Sequence, residues 1–231
     1  MNNNQNYKKR VKTALDQSDF RLYGQRIGES KDAPNLLWYI TEAGKPRIDV
    51  YTGVDGDVDN GRIRAAMDFR TAGAVLELID KVASSDSPCR YYITNRNYIF
   101  PGGVRSEKPV ETCKTVVGRA EDGRVYISLI AKDRPKAVFY FTSPYFHDFT
   151  DSEGNTMGVA MESSLYARNY AKTIQQLLTS VLTKTYKEPP PRDNNKGGNR
   201  NYGNNNNSGG GNNSYGNTNG GGDSFGDDIP M

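Results

Sequence analysis

Residue types that carry catalysis and metal binding are scarce in this chain. Histidine occurs once, at His147, and cysteine twice, at Cys89 and Cys113, in 231 residues. The two cysteines lack zinc-site spacing. A lone histidine beside Tyr145, Phe146 and Phe149, with no second ligand or paired nucleophile, reads as structural. No Gly-Lys-Ser/Thr loop is present to cradle phosphates, which argues against ATP use. Gly53 to Gly61 has the look of a calcium loop, but Asn60 and Ala66 stand where the EF-hand pattern needs glycine and glutamate, so a solvated turn is expected. Asp148, Asp151 and Glu153 lie in a Ser/Gly/Asn-rich loop and are read as facing water. No enzyme, metal or cofactor is therefore expected, a metal-dependent nuclease using Asp148 and Asp151 being a competing reading. Long apolar runs are missing too: there is no stretch of about 18 apolar residues and no apolar N-terminal segment. Together with the cysteine count this predicts a soluble cytoplasmic protein of a reducing compartment with no membrane partner.

Hydrophobic residues make up only 35% of the chain, with a mean hydropathy of -0.76, and the shortage falls almost wholly after Tyr186. Residues 1–187 are read as one folded body, 188–222 as a disordered Pro/Asn/Gly-rich linker, and 223–231 as an acidic tip. Pro189, Pro190 and Pro191 stop the preceding helix and stiffen the exit. Of 30 Lys+Arg only Arg192, Lys196 and Arg200 lie beyond Lys187, and of 27 Asp+Glu five do, so the body carries +5 and the remainder -2. An excess of that size is compatible with binding a polyanion.

The chain ends Asp223-Ser224-Phe225-Gly226-Asp227-Asp228-Ile229-Pro230-Met231. A basic body, a Gly/Asn-rich linker and this ending resemble the tail of bacterial single-stranded DNA-binding proteins. The resemblance covers roughly the last forty residues and implies that the tip docks on replication or repair proteins. Asp227 and Asp228 would meet Arg/Lys there, and Ile229, Pro230 and the terminal residue would enter an apolar pocket. Met231 stands where that family has phenylalanine and fits such a pocket less rigidly.

In the body, apolar alternation predicts strands at Leu36–Ile40 and Arg47–Tyr51 across the turn-rich Glu42 to Pro46, a third from Arg62 to Phe69, and another from Phe20 to Gln25. Ala72, Val75, Leu76, Ile79 and Val82 have helical spacing. The second half repeats the order, with Val110–Arg119 joined through Glu121-Asp122-Gly123 to Arg124–Ala131, then Lys136–Thr142, then a long amphipathic helix from about Ser164 to Lys184. Side by side, Trp38–Thr41 falls on Val125–Ser128, Lys45–Arg47 on Arg134–Lys136, Tyr51 on Tyr140, Ala65–Asp68 on Val159–Glu162, and Lys12-Thr13 on Lys114-Thr115. The expected class is α+β, antiparallel sheets backed by two helices in a duplicated four-strand-plus-helix body. That pattern resembles the Whirly and Pur-type nucleic-acid-binding architecture. The alternative is an OB-fold barrel with added helices.

Single strands are held by a basic groove interleaved with aromatic rings on which bases stack. Alternation places Tyr39 opposite Trp38 and Ile40, and Arg47 with Tyr51 opposite Ile48 and Val50. Tyr39, Arg47 and Tyr51 are thus one candidate face, with Tyr126, Lys136 and Tyr140 as the repeat's counterpart. Arg21, Tyr23, Lys114 and Arg124 join them, as does a basic-aromatic connector carrying Arg90, Tyr92, Arg96 and Tyr98. Trp38 is read as core. The expectation is a homo-oligomeric protein of a bacterial cell or its phage that coats single-stranded DNA without strong sequence preference. It would serve replication, recombination or repair, and recruit partner proteins through its tip. An RNA-binding protein or RNA chaperone with a low-complexity tail is the alternative.

Overall fold

The computed structural model describes residues 12–41, 43–143 and 146–185; the linker and tip lie outside them. Two four-strand meanders each precede a helix: β1 (Leu22–Tyr23), β2 (Asn35–Ile40), β3 (Pro46–Tyr51), β4 (Arg62–Ala66) and α1 (Phe69–Ala83), then β5 (Cys89–Asn97), β6 (Val110–Arg119), β7 (Val125–Ile130), β8 (Phe139–Tyr140) and α2 (Val159–Thr185). Both sheets are antiparallel and ordered as the chain runs. The expected α+β class with two antiparallel sheets and two helices is what forms. The described strands close no barrel, so the OB-fold alternative is not met. No helix among the described residues is long and apolar enough to cross a membrane.

Several boundaries differ from the sequence reading, each for a local reason. The segment taken as a connector, Arg90 to Tyr98, is the edge strand β5, whose polar, two-sided composition hides the alternation. Counting it shifts the internal repeat by one strand, so β2 corresponds to β6 and β3 to β7, not β2 to β7. Phe69 belongs to α1, because the Asp68 carboxylate accepts the Thr71 N–H at 2.7 Å and starts the helix there. α2 begins at Val159, five residues before the expected Ser164. β1 and β8 shrink to two residues each.

One hydrophobic core serves both halves. Trp38, Ile48, Val50 and Ile63 of the first sheet meet Val117, Ile127, Leu129 and Phe139 of the second, with the Val75–Leu76–Ile79–Val82 stripe of α1 and Ala167, Ala171 and Ile174 of α2. The β6–β7 hairpin is fixed to the start of α2. The Val125 N–H donates to Ser163 Oγ at 2.8 Å, and Arg119 Nη1 donates to Ser164 Oγ at 3.0 Å. Gly123, at φ 83°, lies so close to Ala160 that a Cβ would stand 2.4 Å from the alanine methyl. This is the tight glycine turn that the Glu121-Asp122-Gly123 motif predicts.

A nearly buried ion pair joins the halves: Arg134 Nε and Nη2 reach the two Asp57 oxygens at 2.5 and 2.9 Å, and Thr52 Oγ1 donates to the same carboxylate at 2.7 Å. Burial alone would raise the Asp57 carboxyl, but the hydrogen bonds from Arg134 and Thr52 and the guanidinium charge hold it below the usual range. A carboxyl depressed in the folded state stabilises above its unfolded pKa of about 3.9, and that contribution is lost as pH falls through the folded value. Arg134→Gln is therefore expected to lower stability in urea melts at pH 7 by about 3 kcal/mol. The gap between variant and parent should narrow as the melts are repeated toward pH 3; a gap independent of pH would refute the assignment.

Candidate nucleic-acid interface

Because directly paired residues share a face of a sheet, the register separates the two sides. In the first sheet the row Trp38, Ile48, Ala65 enters the core. The rows Tyr39–Arg47–Ala66, Leu37–Asp49–Arg64 and Tyr23–Asn35–Tyr51–Arg62 lie on the opposite, outer side. Arg47 lies over the Tyr39 ring, 4.2 Å from its centroid, and Arg62 Nη1 donates to the Tyr51 hydroxyl at 3.4 Å. Asp49 sits on this outer face yet has 0% exposure. Its carboxylate is 2.8 Å from Arg47 Nε and 3.8 Å from Arg62 Nε, while Arg64 pairs with Asp59 at 2.8 Å. Burial pushes the Asp49 carboxyl up, and the charges of Arg47, Arg62 and Arg64 oppose it. Two concavities open here. One of about 450 Å³ is walled by Tyr39, Arg47, Tyr51 and Arg62; the other, of about 710 Å³, by Lys12, Arg21, Tyr23 and Tyr51.

In the second sheet Val117, Ile127 and Phe139 form the core row, which places Arg90, Gly118, Tyr126 and Tyr140 on the outer side. Cations and rings interleave across that face. Arg124 lies 4.0 Å from the Tyr140 centroid, Tyr140 meets Tyr126 edge-on at 5.8 Å, and Arg90 Nε donates to the Tyr126 hydroxyl at 3.0 Å. Arg90 Nη1 reaches the Tyr92 hydroxyl at 3.4 Å, and Lys114 Nζ stands 5.8 Å from the Tyr92 centroid. Tyr126 is only 4% exposed, and burial raises its phenol, so it remains the neutral partner of Arg90. A satellite cluster of Val116, Ala120, Tyr126 and Ile130 supports it from within the face.

The β5–β6 connection extends this surface. Tyr98, Ile99, Phe100 and Val104 are all exposed, Phe100 at 63%, and Arg105 stacks 3.5 Å from the Tyr98 centroid. The bulge between Asn95 and Arg96 aims the end of β5 into this loop.

Of the residues expected from sequence, Tyr39, Arg47 and Tyr51 do share one face, which Arg21 and Tyr23 complete. Arg90, Tyr92, Lys114, Arg124, Tyr126 and Tyr140 share the other, and Arg96 and Tyr98 lead into the exposed loop. Lys136 is exposed in the β7–β8 connection, outside the strands. Tyr126 is buried, and Arg47 caps one face of Tyr39, which still lines the smaller concavity, as Arg105 caps one face of Tyr98; Tyr23, Tyr92 and Phe100 are exposed rings on these surfaces. The tip residues Asp227, Asp228, Ile229, Pro230 and Met231 lie outside the described residues. Sequence reasoning missed Arg62, Arg64 and Asp49 although strand parity pairs them with predicted residues. It also passed over Phe100 and Arg105, whose loop carries no periodic signal.

Other polar groups are engaged structurally. The Asp151 carboxylate accepts the N–H groups of Glu153 and Asn155 and the Asn155 side chain, closing its own turn. Burial pushes the Cys113 thiol up to about 11, and Sγ points at the Arg64 carbonyl, 3.2 Å away. Among the described residues no three His, Cys, Asp or Glu side chains are grouped to hold a metal ion. Compared with protein families, curated proteins and solved structures, the chain shows no significant match to any of them.

The hydroxyl end of the Tyr126 ring sits against Gly118: a Cβ there would come within 2.5 Å of Cζ and of the hydroxyl oxygen, and 2.8 Å of the Cys89 carbonyl. Gly118→Ala is expected to cost about 1–3 kcal/mol in chemical denaturation. It should also abolish the hydrogen bond from Arg90, visible as a shift of the Arg90 Nε–H resonance; an unchanged melt and resonance would show that the ring is not seated there.

Proposed function

We propose that the protein binds single-stranded DNA on the outer faces of its sheets without strong sequence preference. In this reading it serves replication, recombination or repair, recruiting partner proteins through the tip Asp227–Met231. The observation that carries this is the continuous run of interleaved cations and rings Arg124, Tyr140, Tyr126, Arg90, Tyr92, Lys114 across the second sheet. Such interleaving suits a polyanion whose bases are splayed: cations track phosphates, and each stacked base contributes about 1–3 kcal/mol whatever its identity. The exposed rings of Tyr98 and Phe100 lengthen the platform, and the +5 charge of residues 1–187 supplies the long-range attraction. This reading is one of binding, supported by the engagement of Asp49, Asp57 and Asp59 with arginines and of Asp151 with its own turn.

The acidic tip of the tail, on a tether long enough to reach the basic body, would compete with the strand in the free protein. Partner recruitment by that tip is proposed from the resemblance of its last residues to the tails of bacterial single-stranded DNA-binding proteins.

Fluorescence-anisotropy titration with a labelled thirty-nucleotide strand, its duplex and the RNA of the same sequence tests the proposal. Tight binding to the DNA strand alone is expected; equal binding to duplex would overturn it, and preference for the RNA would favour an RNA-binding role. Tyr92→Ala should weaken strand binding by about tenfold, and Lys114→Gln should reduce the slope of log K against log salt by about 0.7. Removing residues 226–231 is expected to raise strand affinity at low salt while abolishing capture of partner proteins, and unchanged affinity would refute the competition.

A further inference from the structure

The first sheet carries chemistry that a generic coating surface does not need. Its two concavities are adjacent, because Leu37 and Tyr51 line both. Each has an aromatic wall and its own cations: Tyr39 with Arg47 and Arg62 in the smaller, Tyr23 with Arg21 and Lys12 in the larger. Their volumes, about 450 and 710 Å³, fall in the range of sites that enclose small organic ligands. Tyr23 and Tyr51 occupy one cross-strand row with Asn35 between them, which separates the two walls by about 9.5 Å.

Asp49 explains how the cations are held ready. Its buried carboxylate takes one edge of Arg47 and approaches Arg62, fixing both guanidinium groups while leaving donors to spare. One carboxylate among three arginines, with Asp59 on the third, leaves positive charge unneutralised at the surface. An arrangement of that kind suits a phosphodiester placed over Arg62, between two planar walls.

We infer that the outer face of the first sheet seats two consecutive nucleotides of a single strand, one base in each concavity, with Tyr51 as the shared wall and Arg62 on the phosphate between them. Asp49 acts as a positioning residue for Arg47 and Arg62. This rests on the single-strand reading and adds a defined two-nucleotide footprint to it, on a face separate from the cation–ring ladder of the second sheet.

The test uses the full chain cross-linked by light to an oligothymidylate carrying 5-iododeoxyuridine, with the adducts mapped by mass spectrometry and binding followed in parallel by anisotropy. Adducts are expected at Tyr39 and at Tyr23. Tyr51→Ala should remove both, whereas Tyr39→Ala should spare the one at Tyr23. Arg62→Gln should weaken strand binding by about tenfold at low salt, with Tyr51→Phe close to the parent. Binding of the strand with adducts confined to residues 89–126 would overturn the inference and leave the general reading standing, and adducts in one concavity only would overturn the two-nucleotide footprint. A chain that binds no strand at all overturns both. Free thymidine monophosphate that protects Tyr39 and Tyr23 as fully as the strand, at equal concentration, would assign the face to mononucleotides and so overturn the strand footprint as well.

Discussion

Trp38, Ile48, Val117, Ile127 and Phe139 pack with α1 and α2 into a single core, so each sheet has one dry face and must turn the other away from it. In a strand the side chains alternate, and a core row fixes the row beside it. The outward placement of Tyr39, Arg47 and Tyr51, and of Arg90, Tyr126 and Tyr140, follows from the burial of the residues between them. A slip of one residue would send the arginines into the core at prohibitive cost. The candidate binding surface is thus specified by apolar packing on the far side of the same strands.

The two outer faces handle their positive charge differently. On the second sheet Arg90 and Arg124 lean on tyrosines, contacts that cost little desolvation, and Arg124 also pairs with the exposed Asp122 at 2.7 Å. On the first sheet the arginines surround Asp49, which has no access to water. A buried carboxylate is expensive unless paired, and Arg47 and Arg62 supply the pairing. Removing either would leave the charge stranded, so Asp49 holds the arginines in place as firmly as they hold it.

Much of this was legible in the sequence where alternation is clean. The hairpin from Val110 to Ala131 announced itself through Glu121-Asp122-Gly123, and Trp38 as core with Tyr39 opposite followed from parity alone. The edge strand β5 was not legible. Arg90-Tyr91-Tyr92-Ile93-Thr94-Asn95-Arg96-Asn97 has one aliphatic residue in eight, because an edge strand with one solvent-facing side needs few. Missing it displaced the whole repeat alignment by one strand, although the four-strand-plus-helix order itself was seen. The Asp49 cluster escaped for another reason: its residues come from two strands, and only register, which no single segment encodes, brings Arg62 and Arg64 to Asp49.

With the register in hand, the halves can be matched through their core pairs, Trp38 with Ile48 in one and Val117 with Ile127 in the other. Tyr39 then corresponds to Gly118, Arg47 to Tyr126, and Ala66 to Tyr140. In the first sheet the ring stands on the second strand and the cation on the third. In the second sheet the ring has moved to the third strand, glycine has vacated the second to make room for it, and the cation comes from β5 as Arg90. The same row carries a ring met by a guanidinium in both halves, over the ring face at Tyr39 and at the hydroxyl of Tyr126. One strand pair further, Asp49 corresponds to Ser128, and both are fully buried. Ser128 satisfies itself by donating to the Ala137 carbonyl at 2.6 Å, so the second sheet needs no arginines around it. The exchange of a serine for a carboxylate at this one position accounts for the arginine cluster on one face and its absence from the matching position on the other.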